Sequence, residues 1–222
     1  MSSASATPAS PNGSVIKAIA FDWGGVFTQG TFDARAVTAL ATLTGLGEDA
    51  VAASYYPLME HFEVGAFDLP AFHQRLSDEL GVRVELAPFR SAFLDAPLER
   101  PAMYQLLAAI PEHYAVGMLS NNVSELCDRV RSDPRMARIE RFVFSNEIAA
   151  RKPDAAAFAA LTEALGVAPE ATVFIDDNAA NIAACRSLGF HGLLIDDSAA
   201  FAKRWRAQLP DLADLVAGPE WA

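Results

Sequence analysis

Between Tyr114 and Ile195 four short apolar runs alternate with helix-patterned segments, and this alternation constrains the fold more than any other feature of the chain. The runs are Tyr114–Leu119, Phe142–Phe144, Thr172–Ile175 and Gly192–Ile195. Each is short and almost continuously apolar, the pattern of a strand buried on both faces. Between and before them, Ala102–Ala109, Ser124–Arg131, Asp154–Leu165 and Asn181–Leu188 read as helices. Lys152-Pro153 opens the third, with proline where a first helical turn tolerates it, and Gly189 stops the fourth. An earlier run, Val15–Phe21, adds a fifth strand. Strands and helices in alternation imply an α/β fold with a Rossmann-like parallel sheet and right-handed crossovers.

The stretch from Asp33 to Ala96 has a different character. Ala34–Leu43, Glu48–Glu60, Pro70–Leu80 and Ala87–Leu94 read as amphipathic helices, with one short candidate strand at Val82–Leu86. The expected organisation is a loose tail over residues 1–14, an α/β core from 15–32 and 97–222, and a helical insertion over 33–96. The tail, MSSASATPASPNGS, lacks the charged and apolar regions of a secretory signal.

A net charge of −11 argues against a nucleic-acid partner, since phosphate backbones need a basic face. No apolar run approaches the length of a membrane span. Cys127 and Cys185 are far apart and form no ligand pair, which suits reduced thiols in a cytoplasmic protein. The sequence leaves the oligomeric state open.

Three strands end in polar clusters: Asp22, Ser120-Asn121 and Asp176-Asp177. Ligands of open parallel sheets bind beyond the carboxyl ends of the strands, so these clusters are expected to share a crevice. Taken singly, each has an ordinary reading as a turn residue, a helix cap or a solvated side chain. Together they gather three carboxylates. At ~4 Å and an effective dielectric of ~20, repulsion within one such pair is about 4 kcal/mol. A cation must offset it, and oxygen ligands with spare positions suit Mg²⁺.

Four motifs in this order resemble the haloacid dehalogenase superfamily: Phe21-Asp22-Trp23-Gly24-Gly25-Val26, Leu119-Ser120-Asn121, Arg151-Lys152-Pro153-Asp154 and Phe174-Ile175-Asp176-Asp177-Asn178-Ala179-Ala180-Asn181. The helical insertion resembles the cap of the subclass with an all-α cap. The last motif is similar to that of sugar-phosphate phosphatases and of the phosphatase domain of soluble epoxide hydrolases. The resemblance implies Mg²⁺-dependent hydrolysis of a small phosphorylated metabolite. By it, Asp22 is the nucleophile that becomes an aspartyl phosphate. Ser120 hydrogen-bonds a phosphoryl oxygen, with Asn121 in the same substrate pocket. Lys152 balances charge, and Asp22, the Gly24 carbonyl, Asp177 and Asp176 surround the metal. Asn181 orients the loop.

One position departs from that pattern. Most phosphatases of this family carry aspartate two residues after the nucleophile, where it protonates the leaving group and activates water. This chain has Gly24. A positioned general acid contributes roughly 10²–10⁴-fold. Three readings follow: a phosphatase with a good leaving group or a borrowed acid, a 2-haloacid dehalogenase, or a non-catalytic binding protein. The candidate lenders are Asp176, His61, Glu60 and Glu63. Elsewhere His61 and His73 read as surface residues, Cys185 as core, Lys203-Arg204-Trp205-Arg206 as a solvated helix face, and Asp196-Asp197 as a turn after the last strand.

Overall fold

The computed structural model describes residues 15–94 and 98–222, so the tail over 1–14 and the expected junction at 96/97 lie outside the described residues. Its centre is a parallel sheet of five strands: β1 Ala18–Phe21, β2 Ala115–Ser120, β3 Arg141–Phe144, β4 Thr172–Asp176 and β5 His191–Leu194. Their order is β3-β2-β1-β4-β5, with every neighbouring pair parallel. The first strand is therefore central. The chain winds outward from it to one side through β2 and β3, and to the other through β4 and β5.

The continuous apolar runs are explained by burial on both faces. Along β1, Ile19 and Phe21 face one hydrophobic cluster while Ala20 faces another. Along β4, Val173 and Ile175 join the first cluster and Phe174 the second. Helices α5 (Pro101–Ala109), α6 (Ser124–Ser132) and α10 (Ser198–Gln208) contribute to the first cluster. Helices α8 (Ala155–Leu165) and α9 (Ala179–Ser187) cover the second. A single turn of helix, α7 (Ser145–Ile148), follows β3.

The segment after β1 folds as α1 (Phe32–Thr44), α2 (Glu48–Phe62), α3 (Leu69–Leu80) and α4 (Leu86–Leu94). The side chains of Thr31 and Asp68 cap α1 and α3, accepting from Ala34 N and Ala71 N. Aromatic rings fill the space between these helices. Phe72 packs on Phe62 at 4.8 Å, Phe93 at 5.5 Å and Tyr55 at 5.7 Å between ring centroids. Phe93 continues the contact to Phe32, and Phe32 to Trp23 beside the sheet. The apolar packing of the insertion is thus continuous with one face of the core.

Three expectations are corrected. Val82–Leu86 forms no strand: residues 82–85 are irregular, and the Val84 carbonyl meets His73 Nε2 at 2.7 Å instead of a neighbouring strand. Pro153 lies outside α8, which begins at Ala155 with Asp154 as its cap residue, and the Lys152–Pro153 peptide is cis. Trp205 belongs to no solvated face. It is fully buried and its indole donates to Leu212 O at 2.8 Å. Cys127 and Cys185 are both buried free thiols. Among the described residues no helix is long and apolar enough to cross a membrane.

Phe72 sits at the middle of the aromatic cluster and is fully buried. Phe72→Ala is expected to lower stability by about 3–5 kcal/mol, because the surrounding rings cannot close the cavity it leaves. The urea midpoint of the purified variant checks this.

Candidate active site

The register of the sheet sets the site. Phe21 pairs with Met118 on one side and Ile175 on the other, and Asp22 N donates to Ile175 O at 2.8 Å. Asp22 therefore emerges level with the ends of β2 and β4. After it the chain turns tightly: Phe27 N donates to Trp23 O, and Gly25 N to Thr28 Oγ1 at 2.8 Å. Gly25 has φ +69°, and a Cβ there would lie 1.9 Å from Asp177 Oδ2. Only glycine lets the two loops approach this closely. At Gly24 a Cβ would meet nothing within 4 Å.

Lys152 is buried beneath these loops, its Nζ 2.7 Å from Asp176 Oδ2 and 2.9 Å from Asp22 Oδ1. The Asp176 contact is a hydrogen bond. The Asp22 contact is a buried ion pair through Oδ1. Asn121 holds the lysine backbone from both ends: Lys152 N donates to its Oδ1 at 2.8 Å, and its Nδ2 donates to Lys152 O at 3.0 Å. Asn121 thus spends its side-chain amide on positioning Lys152, although it lines the crevice. Asp176 is fully buried and engaged at both oxygens, by Lys152, Asn178 N and Asn181 Nδ2. Asn181 Nδ2 donates to both of these oxygens, at 3.2 and 3.1 Å.

Asp22, Asp176 and Asp177 each offer a carboxylate oxygen within 4.8 Å of the others. Burial, and then the charges of Asp176 and Asp177, push Asp22 up to about 7 against the pull of Lys152. Burial and Asp176 push Asp177 up to about 6. Burial would lower Lys152, but Asp176 and Asp22 outweigh it and hold the ammonium above its ordinary value. One lysine among three carboxylates leaves an excess of negative charge. An oxygen-only donor set that carries this excess charge suits a hard divalent cation such as Mg²⁺.

These groups open on a cavity of about 140 Å³ lined by Asp22, Gly24, Asn121, Lys152 and Asp177 of the core and by Asp33, Met59 and Glu63 of the insertion. Ser120 is buried at the end of β2 and does not line it, whereas Asn121 and Asn122 do. Asp196 and Asp197 lie elsewhere: one pairs with Arg204 and the other caps α10. Of the four candidate lenders of an acid, Asp176 is saturated, His61 is exposed and outside the cavity, and Glu60 is largely exposed in an ion pair with Arg151. Glu63 alone among them lines the cavity. It is buried, with Arg151 Nη2 at 2.8 Å and Nε at 3.0 Å from its Oε2. Asp33 and Arg151 also line the cavity and were not anticipated. Asp33 accepts from Tyr55 at 2.9 Å.

A family model for haloacid dehalogenase-like hydrolases matches residues 16–189, so the chain belongs to that hydrolase family. A curated relative, Phosphatase MT3486 of Mycobacterium tuberculosis, is 31% identical over 202 residues, covering 82% of this chain and 88% of its own. Among solved structures, a HAD family enzyme of Bacteroides thetaiotaomicron, BT-2542, in complex with magnesium and inorganic phosphate superimposes with a TM-score of 0.70 at 22% identity, covering 81% of this chain and 93% of its own. L-2-haloacid dehalogenase of Xanthobacter autotrophicus, with chloropropionic acid covalently bound, gives 0.62 at 17% identity, covering 82% of this chain and 78% of its own. At these identities the structural likeness speaks to the fold.

The two adjacent glycines are expected to respond oppositely. Gly25→Ala combines a positive φ with a collision against Asp177, and should lower the unfolding free energy by more than about 1 kcal/mol. Gly24→Ala has neither problem and should stay within about 0.5 kcal/mol of wild type. Paired denaturant titrations measure the difference.

Proposed function

We propose that this hydrolase cleaves a small phosphomonoester with Mg²⁺ bound, by phosphoryl transfer to Asp22. The observation that carries this reading is the gathering of Asp22, Asp176 and Asp177 around one buried lysine. Attack on the carbon of a haloacid needs one carboxylate and no metal, so two further acids would add repulsion without a use. The phosphatase name of the mycobacterial relative supports the same choice, as do the magnesium and phosphate held by the Bacteroides enzyme.

Asp22, Asp177 and the Gly24 carbonyl would hold the metal, with Asp176 behind them fixing Lys152. Bound Mg²⁺ supplies charge neutralisation at the transferring phosphoryl group. The Asp22 carboxylate attacks phosphorus, the bond to the leaving oxygen breaks, and water then frees phosphate from the aspartyl phosphate. Lys152 balances the charge on Asp22 throughout. Asn121 acts through Lys152, while Ser120, buried at the end of β2 and outside the cavity lining, is given no contact with the phosphoryl group. Residues 33–96 serve as the cap: Asp33, Met59 and Glu63 supply the cavity wall facing the core, which is where a leaving group would be recognised.

Purified protein should hydrolyse an aryl phosphate with Mg²⁺, lose that activity in excess chelator, regain it on Mg²⁺ addition, and leave a 2-haloacid untouched. Asp22→Asn should reduce turnover at least about 10³-fold with an unchanged circular dichroism spectrum, because the amide is isosteric but not nucleophilic. Haloacid turnover that ignores chelator would overturn the reading.

A further inference from the structure

Removal of the aspartate two residues past Asp22 leaves both half-reactions without a proton carrier, yet the cavity holds a carboxylate on the opposite wall. Resting on the phosphatase reading above, we propose that Glu63, from the end of the insertion's second helix, is the general acid and base of the reaction, replacing the side chain absent at Gly24.

Three observations converge on it. Glu63 shares one cavity with Asp22, Gly24 and Asp177. A Cβ at Gly24 would meet nothing within 4 Å, so the cavity is open at the first atom of the side chain that is absent there. Both contacts with Arg151 fall on Oε2, and among the described residues Oε1 receives no hydrogen bond, which leaves it for a ligand. The carboxyl is also suitably poised. Burial and the nearby Asp33 carboxylate push Glu63 up to about 7, against the pull of Arg151 and Lys152. A group near the working pH can both give and take a proton. Other charged or titratable groups facing this corner are Tyr55, beside Asp33, and Glu60, beside Arg151.

The chemistry balances. As Asp22 attacks, the phosphorus–oxygen bond to the leaving group breaks and its electron pair stays on that oxygen. Glu63 passes its proton there, and the alcohol departs. Water then bonds to phosphorus, its proton goes to the Glu63 carboxylate, and the Asp22–phosphorus bond breaks with its electron pair returning to Asp22. Phosphate leaves and Glu63 is again protonated.

A purely structural Glu63, clamping the insertion to Arg151, would affect all substrates alike. The test is therefore a ratio. Wild type and Glu63→Gln, both in saturating Mg²⁺, are assayed on p-nitrophenyl phosphate and on glycerol phosphate. An acid matters most for the poor alkyl leaving group and least for nitrophenolate. The variant should lose about 10²–10³-fold in kcat/KM on glycerol phosphate and less than about 10-fold on the aryl ester. Glu63→Asp should recover part of the alkyl activity. The ratio does not depend on how much of the variant is folded. An unchanged ratio, whether both activities persist or both fall together, overturns the role of Glu63 and leaves the phosphatase reading standing. A wild type inactive on both esters overturns the phosphatase reading itself and this inference with it.

Discussion

The buried ammonium of Lys152 is the contact on which the rest of the site depends. It lies 2.9 Å from Asp22 and 2.7 Å from Asp176, two carboxylates that arrive from neighbouring strands. Without it, the carboxylates at the ends of β1 and β4 would repel each other with no cation between them, in a place where burial already disfavours charge. Its own geometry is over-determined: Asn121, from the end of β2, grips both backbone groups of Lys152. The ends of three adjacent strands and the loop before α8 are thus locked by one cation and one amide. Asn178 and Asn181 complete the lock by occupying the remaining capacity of Asp176.

The same loop also carries the cation that engages the insertion. Arg151, next in the chain to Lys152, reaches Glu63 at 2.8 Å and Glu60 at 3.5 Å. Consecutive basic residues therefore face opposite walls of the crevice, one toward the sheet and one toward the helices. The insertion rests on the core at further points: Ser145 donates to Glu63 O, and Arg129 Nη1 donates to Leu94 O at 2.9 Å. A helical unit attached in this way has its polar face set toward the cavity that Asp22 lines, while its aromatic interior merges with the core behind it. That arrangement gives a physical reason for chemistry to be shared between the two parts, since a carboxyl on the insertion meets the cavity only when these contacts form.

Much of the architecture was legible in the residues. The five strands and the four insertion helices fall within a few residues of their expected places, because strands buried on both faces and amphipathic helices leave strong periodic marks. The misreadings have local causes. Val82–Leu86 has strand-like residues but no strand beside it to pair with. The run Lys203 to Arg206 looked polar because three of its four residues are charged, and the one that is not, Trp205, is the one that packs into the core. Pro153 precedes its helix, which starts two residues later at Ala155.

By itself the sequence determined the parallel sheet, the helical insertion, and the set of polar strand ends that belong together, because each is written in short-range patterns of apolar and turn residues. It also determined that Gly24 lacks a side chain for proton transfer. What only the tertiary structure decided was how those residues divide their work. Asp176 and Asn121 look equivalent to their neighbours in the chain, yet their hydrogen bonds are spent on fixing Lys152. Asp33 and Glu63 share a cavity with Asp22 only because the insertion folds back over the strand ends, where the core residue Arg151 meets Glu63. Proximity across a crevice is a property of packing between segments distant in sequence, and no local pattern records it.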